Sequence, residues 1–135
     1  MIEQGLVQLV QGNAAVAALA QNGGGWLATL PKGQTLPSWT YQVISAIPAL
    51  TLTTVTGLQP SRWQIDCYGM EAADVVNLSK AINGALHGFR GTLADPDNTY
   101  VDSAFRSDLH DPEYDPASRT WRRVIEFEIH YVSQF

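Results

Sequence analysis

The stretch Arg62–Thr92, RWQIDCYGMEAADVVNLSKAINGALHGFRGT, holds a strand followed at once by a helix. From Arg62 to Tyr68 apolar and polar residues alternate. Trp63, Ile65 and Cys67 fall on one face and Arg62, Gln64, Asp66 and Tyr68 on the other, the period of a half-buried strand. From Glu71 the period changes. Ala72, Val75, Leu78, Ile82, Ala85 and Leu86 form a single apolar stripe, with Asn77, Lys80 and Asn83 off it. Glu71 and Asp74 lie in the first turns and His87 in the last, the ends at which the helix dipole favours them. Gly88 stands where a helix commonly turns into a left-handed residue. The spacing predicts a helix over 71–87 whose small residues allow close packing on a sheet.

Beyond this unit the chain turns through Gly91 and the run Asp95-Pro96-Asp97-Asn98. Tyr100 to Leu109 reads as a strand with Val101, Phe105 and Leu109 apolar, and His110 to Ser118 as a polar turn carrying Pro112 and Pro116. In the strand Trp121 to Val132, Trp121, Ile125, Phe127, Ile129 and Tyr131 share a face with Arg123, while Arg122, Glu126, Glu128 and His130 lie opposite. These two strands are expected to pair as a hairpin. On the N-terminal side, Ile2, Leu6, Leu9 and Val10 recur at helical spacing. Asn13 suits the N-cap of a second helix from Ala14 to about Ala20, with Val16 and Leu19 inward. Trp26 to Leu30 reads as a short strand ended by Pro31, Lys32 to Pro37 as a loop, and Trp39 to Ala46 as a strand with apolar residues on both faces. Ala49 to Leu58, rich in Thr, Leu and Val, is either a strand continued after a bulge or an extended arm. Helices and strands without βα alternation imply an α+β fold, with an antiparallel sheet of about four to five strands and helices packed on one face.

The 135 residues are enough for one domain, and a hydrophobic content of 45% fills one core. Cys67 is the sole cysteine, so no disulfide forms within the chain, which fits a reducing compartment. Ala14 to Ala20, the longest apolar stretch near the N-terminus, falls short of the roughly 20 residues a bilayer requires. Glu3 stands where a signal peptide would be basic, so the chain is expected in the cytoplasm of the cell that makes it. The net charge of -5 is unevenly spread. Asp95, Asp97, Asp102, Asp108, Asp111, Glu113 and Asp115 face Arg106 alone, which argues against tight binding to nucleic acid.

No phosphate-binding loop, dinucleotide fingerprint, nucleophile elbow, zinc-protease helix or paired C-x-x-C occurs. Cys67 with His87 or His130 has the composition of a nucleophile and base. Its place on an apolar face beside Trp63 and Ile65 reads as packing. Asp108, His110, Asp111 and Glu113 carry metal-ligating groups, but their spacing matches no calcium loop and the nearby prolines mark a solvated turn. No catalytic residue, cofactor or metal is therefore expected. The tryptophans suit core packing, with Trp39 the candidate for a subunit contact.

MIEQGLVQLVQGNAAVAALA, LPKGQTLPSWTYQVIS, RWQIDCYG, EAADVVNLSKAINGALHGFRGT and RTWRRVIEFEIHYV follow one another in this order. In order and wording they resemble the tail completion and tail terminator proteins of long-tailed phages and prophages, and the tail terminators of gene transfer agents. The resemblance covers almost the whole chain, and its most specific pieces are TLPSWTYQVIS, RWQIDCYG and ALHGFRGT. Ile47 to Leu58 departs from it, being strongly apolar where members carry a polar loop.

The resemblance implies a non-enzymatic α+β subunit of the virion tail or neck, assembled in the host cytoplasm. It implies a ring, usually hexameric, that caps the tail tube and meets the head–tail connector proteins. It does not separate a terminator from a neighbouring neck protein. The implied partners are further copies of the chain, the tail tube protein and the connector proteins. DNA passes without specific binding, and no membrane is involved. On this reading Leu50, Leu52, Val55 and Leu58 lie on an edge that a neighbouring copy covers. Trp39, Tyr131 and Phe135 are further interface candidates. Asp95, Asp97, Asp108, Asp111 and Glu113 are candidates for the lumen, where like charge keeps DNA from adhering.

Overall fold

Alternation from Leu58 to Gly69 builds the strand on which the molecule is assembled. A computed structural model describes residues 2–20, 24–27, 36–46, 58–93 and 99–132. Its elements are α1 (Ile2–Gln11), α2 (Ala14–Leu19), β1 (Trp26–Leu27), β2 (Ser38–Ala46), β3 (Leu58–Gly69), α3 (Ala72–Leu86), β4 (Gly91–Thr92), β5 (Tyr100–Leu109), β6 (Glu113–Asp115) and β7 (Thr120–Val132). Among the described residues they form a seven-stranded sheet in the order β1-β2-β3-β7-β5-β4, with β6 paired to β7 beyond the end of β5. The class is α+β, but the sheet is larger than expected and mixed, because β1 runs parallel to β2. β1 begins the stretch read as a short strand from Trp26, whereas the additional strands β4 and β6 are two and three residues long, too short for alternation to reveal them.

Longer elements follow the pattern of their residues. Asn13 Oδ1 accepts the backbone N–H groups of Ala15 and Val16 at 3.0 and 3.2 Å, which starts α2. At the start of α3 the Asp74 carboxylate accepts the Glu71 N–H at 3.2 Å, as in a capping box. At its end Gly88 adopts φ 83°. The Gly88 N–H then reaches Ala104 O at 2.7 Å, and His87 Nδ1 accepts the Arg106 N–H at 3.0 Å. The C-terminus of the helix is thus tied to the outer edge of β5.

Helix α3 lies against β3, β7 and β5, and α1 and α2 pack on α3. It buries Val75, Leu78, Ser79, Ile82 and Leu86 toward Trp63, Ile65, Cys67, Ile125, Phe127 and Ile129. The Trp63 indole N–H is satisfied inside the core by Ser61 Oγ at 2.9 Å, and Ser61 donates to Ile129 O at 2.8 Å. Helix α1 covers the other part of this face, where Leu6, Val7 and Val10 line a small apolar cavity with Trp39, Trp63 and Ile129.

In β5, register shifts between Val101 and Ser103 and between Arg106 and Asp108 rotate the strand twice. Val101 and Ala104 are therefore buried, while Phe105, two positions from Ser103, is 39% exposed. A bulge inserts one residue and moves every later side chain to the opposite face. Plain alternation would not show this.

Trp39 lies in the core at 2% exposure, instead of at a subunit contact. Its carbonyl accepts the Gly25 N–H at 2.9 Å, and Gln11 of α1 donates to Gly24 O at 3.0 Å. Gly24 and Gly25 have φ 154° and 76°, and a Cβ on Gly24 would overlap the Trp39 indole. Gly24→Ala is expected to cost about 1–3 kcal/mol through this overpacking, read as a lower urea midpoint with an unchanged slope. A neutral substitution would mean that the indole does not lie against this backbone.

Candidate functional site

The face of the sheet opposite the helices is polar. Asp66 is 7% exposed there. Its Oδ2 accepts Arg122 at 2.9 Å and Oδ1 accepts Gln64 Nε2 at 2.9 Å, with the Tyr68 hydroxyl at 3.5 Å. Burial, and then the neighbouring Asp66 charge, push the Tyr68 phenol above its ordinary value. This cluster joins β3 to β7 and holds no reactive pair. The alternation placed Asp66 and Arg122 on polar faces, but nothing in the chain linked residues so far apart.

Toward the end of the β5–β7 pairing, the polar turn expected over 110–118 contains β6 and a tight connection. Asp115 Oδ1 accepts the Ala117 N–H at 3.0 Å and Oδ2 accepts Ser118 Oγ at 2.9 Å. These bonds hold the Asp115 carboxyl below its usual value. Arg119 closes the turn at φ 57°, and Tyr114 packs on Trp121 with ring centroids 5.3 Å apart. Every residue from Glu113 to Arg119 is exposed, so this hairpin end is a braced, accessible surface.

Asp108, Asp111 and Glu113 all lie exposed in this region. Only Asp108 is brought close to His110, and the second acid beside the imidazole is Glu126 of β7. His110 Nε2 stands 3.3 Å from Asp108 Oδ2 and 3.2 Å from Glu126 Oε2. Glu126 was legible as one of the polar face Glu126, Glu128 and His130, but its partner was set by strand register. Of the interface candidates, Tyr131 is half-buried against the core, and Leu58 opens β3 opposite Val132. Leu50, Leu52, Val55, Phe135, Asp95 and Asp97 lie outside the described residues, as do the rest of the 49–57 stretch, residues 28–30 and the Asp95–Asn98 turn.

Cys67 is fully buried, and burial pushes its thiol well above its ordinary value. The histidines considered as its base are engaged elsewhere: His87 with the Arg106 N–H, and His130 with Glu128 at 3.4 Å. No helix among the described residues is long and apolar enough to cross a membrane.

The family model described as tail completion protein gp17 matches residues 4–131. The chain belongs to the tail completion protein gp17 family. It is thereby related to structural proteins of phage-type tails, as the sequence resemblance implied. Among solved structures, a chain from the virion of a native gene transfer agent particle has the same fold. The two are 16% identical and superpose with a TM-score of 0.69, over 96% of this chain and 93% of that one. No curated protein matches the chain.

Proposed function

We propose that this tail completion protein acts as a non-enzymatic ring subunit: copies close a ring, of six by family resemblance, that caps the tail tube and offers its other side to the head-side connector. The observation that carries this is the family match over residues 4–131, nearly the whole of this chain. Accessible apolar groups support contact with other chains. Leu27 is 65% and Ile44 47% exposed at the β1–β2 side of the sheet, and Tyr114 is 49% exposed on the hairpin end.

Leu50, Leu52, Val55, Leu58, Tyr131 and Phe135 remain the proposed subunit contacts. Asp95, Asp97, Asp108, Asp111 and Glu113 remain the proposed acids of the lumen, where they would repel passing DNA. The subunit assembles in the host cytoplasm and stays in the tail or neck of the virion. Light scattering on the purified chain, alone and with tail tube protein, is expected to give a species near six times 14.8 kDa. A monomer at high concentration in both samples overturns the proposal. A ring that forms only with connector protein would instead identify a neck component.

A further inference from the structure

Three metal-binding side chains converge where β5 leaves its pairing with β7. We propose that Asp108, His110 and Glu126 form a surface site for a divalent transition-metal ion of the Zn2+ class.

The bulge between Arg106 and Asp108 creates this site. It removes Ser107 from the register and sets Asp108 directly opposite Glu126. Bulges commonly re-aim a side chain in this way. Two carboxylates placed opposite each other on neighbouring strands repel. The imidazole lies between them, with Nε2 at 3.3 and 3.2 Å from the two nearest oxygens. A neutral imidazole has one N–H at most on that nitrogen, so it cannot fully serve both carboxylates. A dication bound by all three groups would serve both at once.

The spacing suits such an ion. The three ligand atoms all lie within 4.8 Å of one another. Ligands about 2.0–2.1 Å from a tetrahedral ion stand about 3.3 Å apart. An imidazole with two carboxylates favours a transition metal over Mg2+ or Ca2+, which prefer oxygen alone. Three protein ligands leave a fourth position for water.

The supports are already in place. The Leu109 N–H donates to Asp108 Oδ1 at 2.8 Å, leaving Oδ2 toward His110. The His110 backbone N–H donates to Val124 O at 2.9 Å, and Arg123 Nε donates to the His110 carbonyl at 2.9 Å. The nearby cation Arg123 is thus engaged with backbone, and its other contact is Ser79 Oγ at 3.4 Å. A bound ion would clamp β5 to β7 at the root of the exposed hairpin end.

The test is calorimetric titration of the chelator-treated full chain with ZnCl2, with the His110 ring followed by NMR. One saturable site and a perturbed His110 ring are expected. His110→Ala and Glu126→Gln are each expected to weaken binding at least about tenfold, and Asp111→Asn to leave it unchanged. Glu126→Gln keeps the shape of the side chain, and circular dichroism checks that each variant is folded. Absence of saturation at millimolar Zn2+ overturns the proposal. So does equal affinity in wild type, His110→Ala and Glu126→Gln, which would move the ion to His87 or His130. None of these outcomes depends on ring formation.

Discussion

Phe127→Ala is expected to destabilise the subunit by about 3–5 kcal/mol, whereas Phe105→Ala, the same truncation one strand away, is expected to cost less than about 1 kcal/mol. Phe127 is fully buried in β7, between Trp63 of β3 and Arg106 of β5 in register. Ile125 and Ile129 flank it on the same face, and α3 covers that face with Val75, Leu78 and Ile82. These neighbours are fixed by paired strands and a capped helix, so the vacated space cannot collapse cheaply. Against a total stability of about 5–15 kcal/mol for a domain, the loss is large. Phe105 is turned outward by the first bulge of β5, between Val101 and Ser103, and its ring meets His130 with centroids 6.3 Å apart. Urea unfolding of both variants measures the contrast. Comparable losses would mean that Phe105 faces the core and that the register of β5 is different.

That contrast also marks the boundary of what the residues disclose in order. Trp63, Ile65 and Cys67 on β3, and Ile125, Phe127 and Ile129 on β7, announce their buried face because each strand runs without interruption. The helix over 72–86 was legible from its stripe and from chemistry at both ends. Phe105 was not, because a bulge is one extra residue with no compositional mark in Asp102 or Ser107. Trp39 looked available for a neighbour because both faces of β2 carry apolar residues. Its burial is decided by Gly24 and Gly25, remote in sequence, and by α1. The hairpin cluster shows the same limit. Asp108 and His110 stand two positions apart in the chain, but Glu126 joins them only through register, while Asp111 and Glu113, nearer in sequence, do not.

Above pH 9 the wild-type subunit is expected to lose stability that a Cys67→Ala variant retains, the difference reaching about 2–3 kcal/mol by pH 11. The Cys67 thiol is enclosed by the core, and burial, followed by the charge of Asp66, raises its pKa from 9.0. The native state therefore keeps its proton at pH values where the unfolded chain has released it. With more protons bound in the folded form, stability falls as pH rises, by about 1.4 kcal/mol per unit once the unfolded pKa is passed. Below pH 9 both states hold the proton and the contribution is fully present. Tyr68, also raised, acts in the same direction above about pH 10, but it is common to both proteins and drops out of the difference. Denaturant midpoints for the two proteins from pH 7 to 11 measure the divergence. Parallel curves would mean that Cys67 ionises as readily in the folded subunit as in the unfolded chain, which its place between Trp39 of β2 and Arg123 of β7 on the helix-covered face of the sheet does not allow. The same enclosure separates a packing thiol from a nucleophile: at neutral pH a thiol reagent should modify Cys67 only as fast as the subunit unfolds.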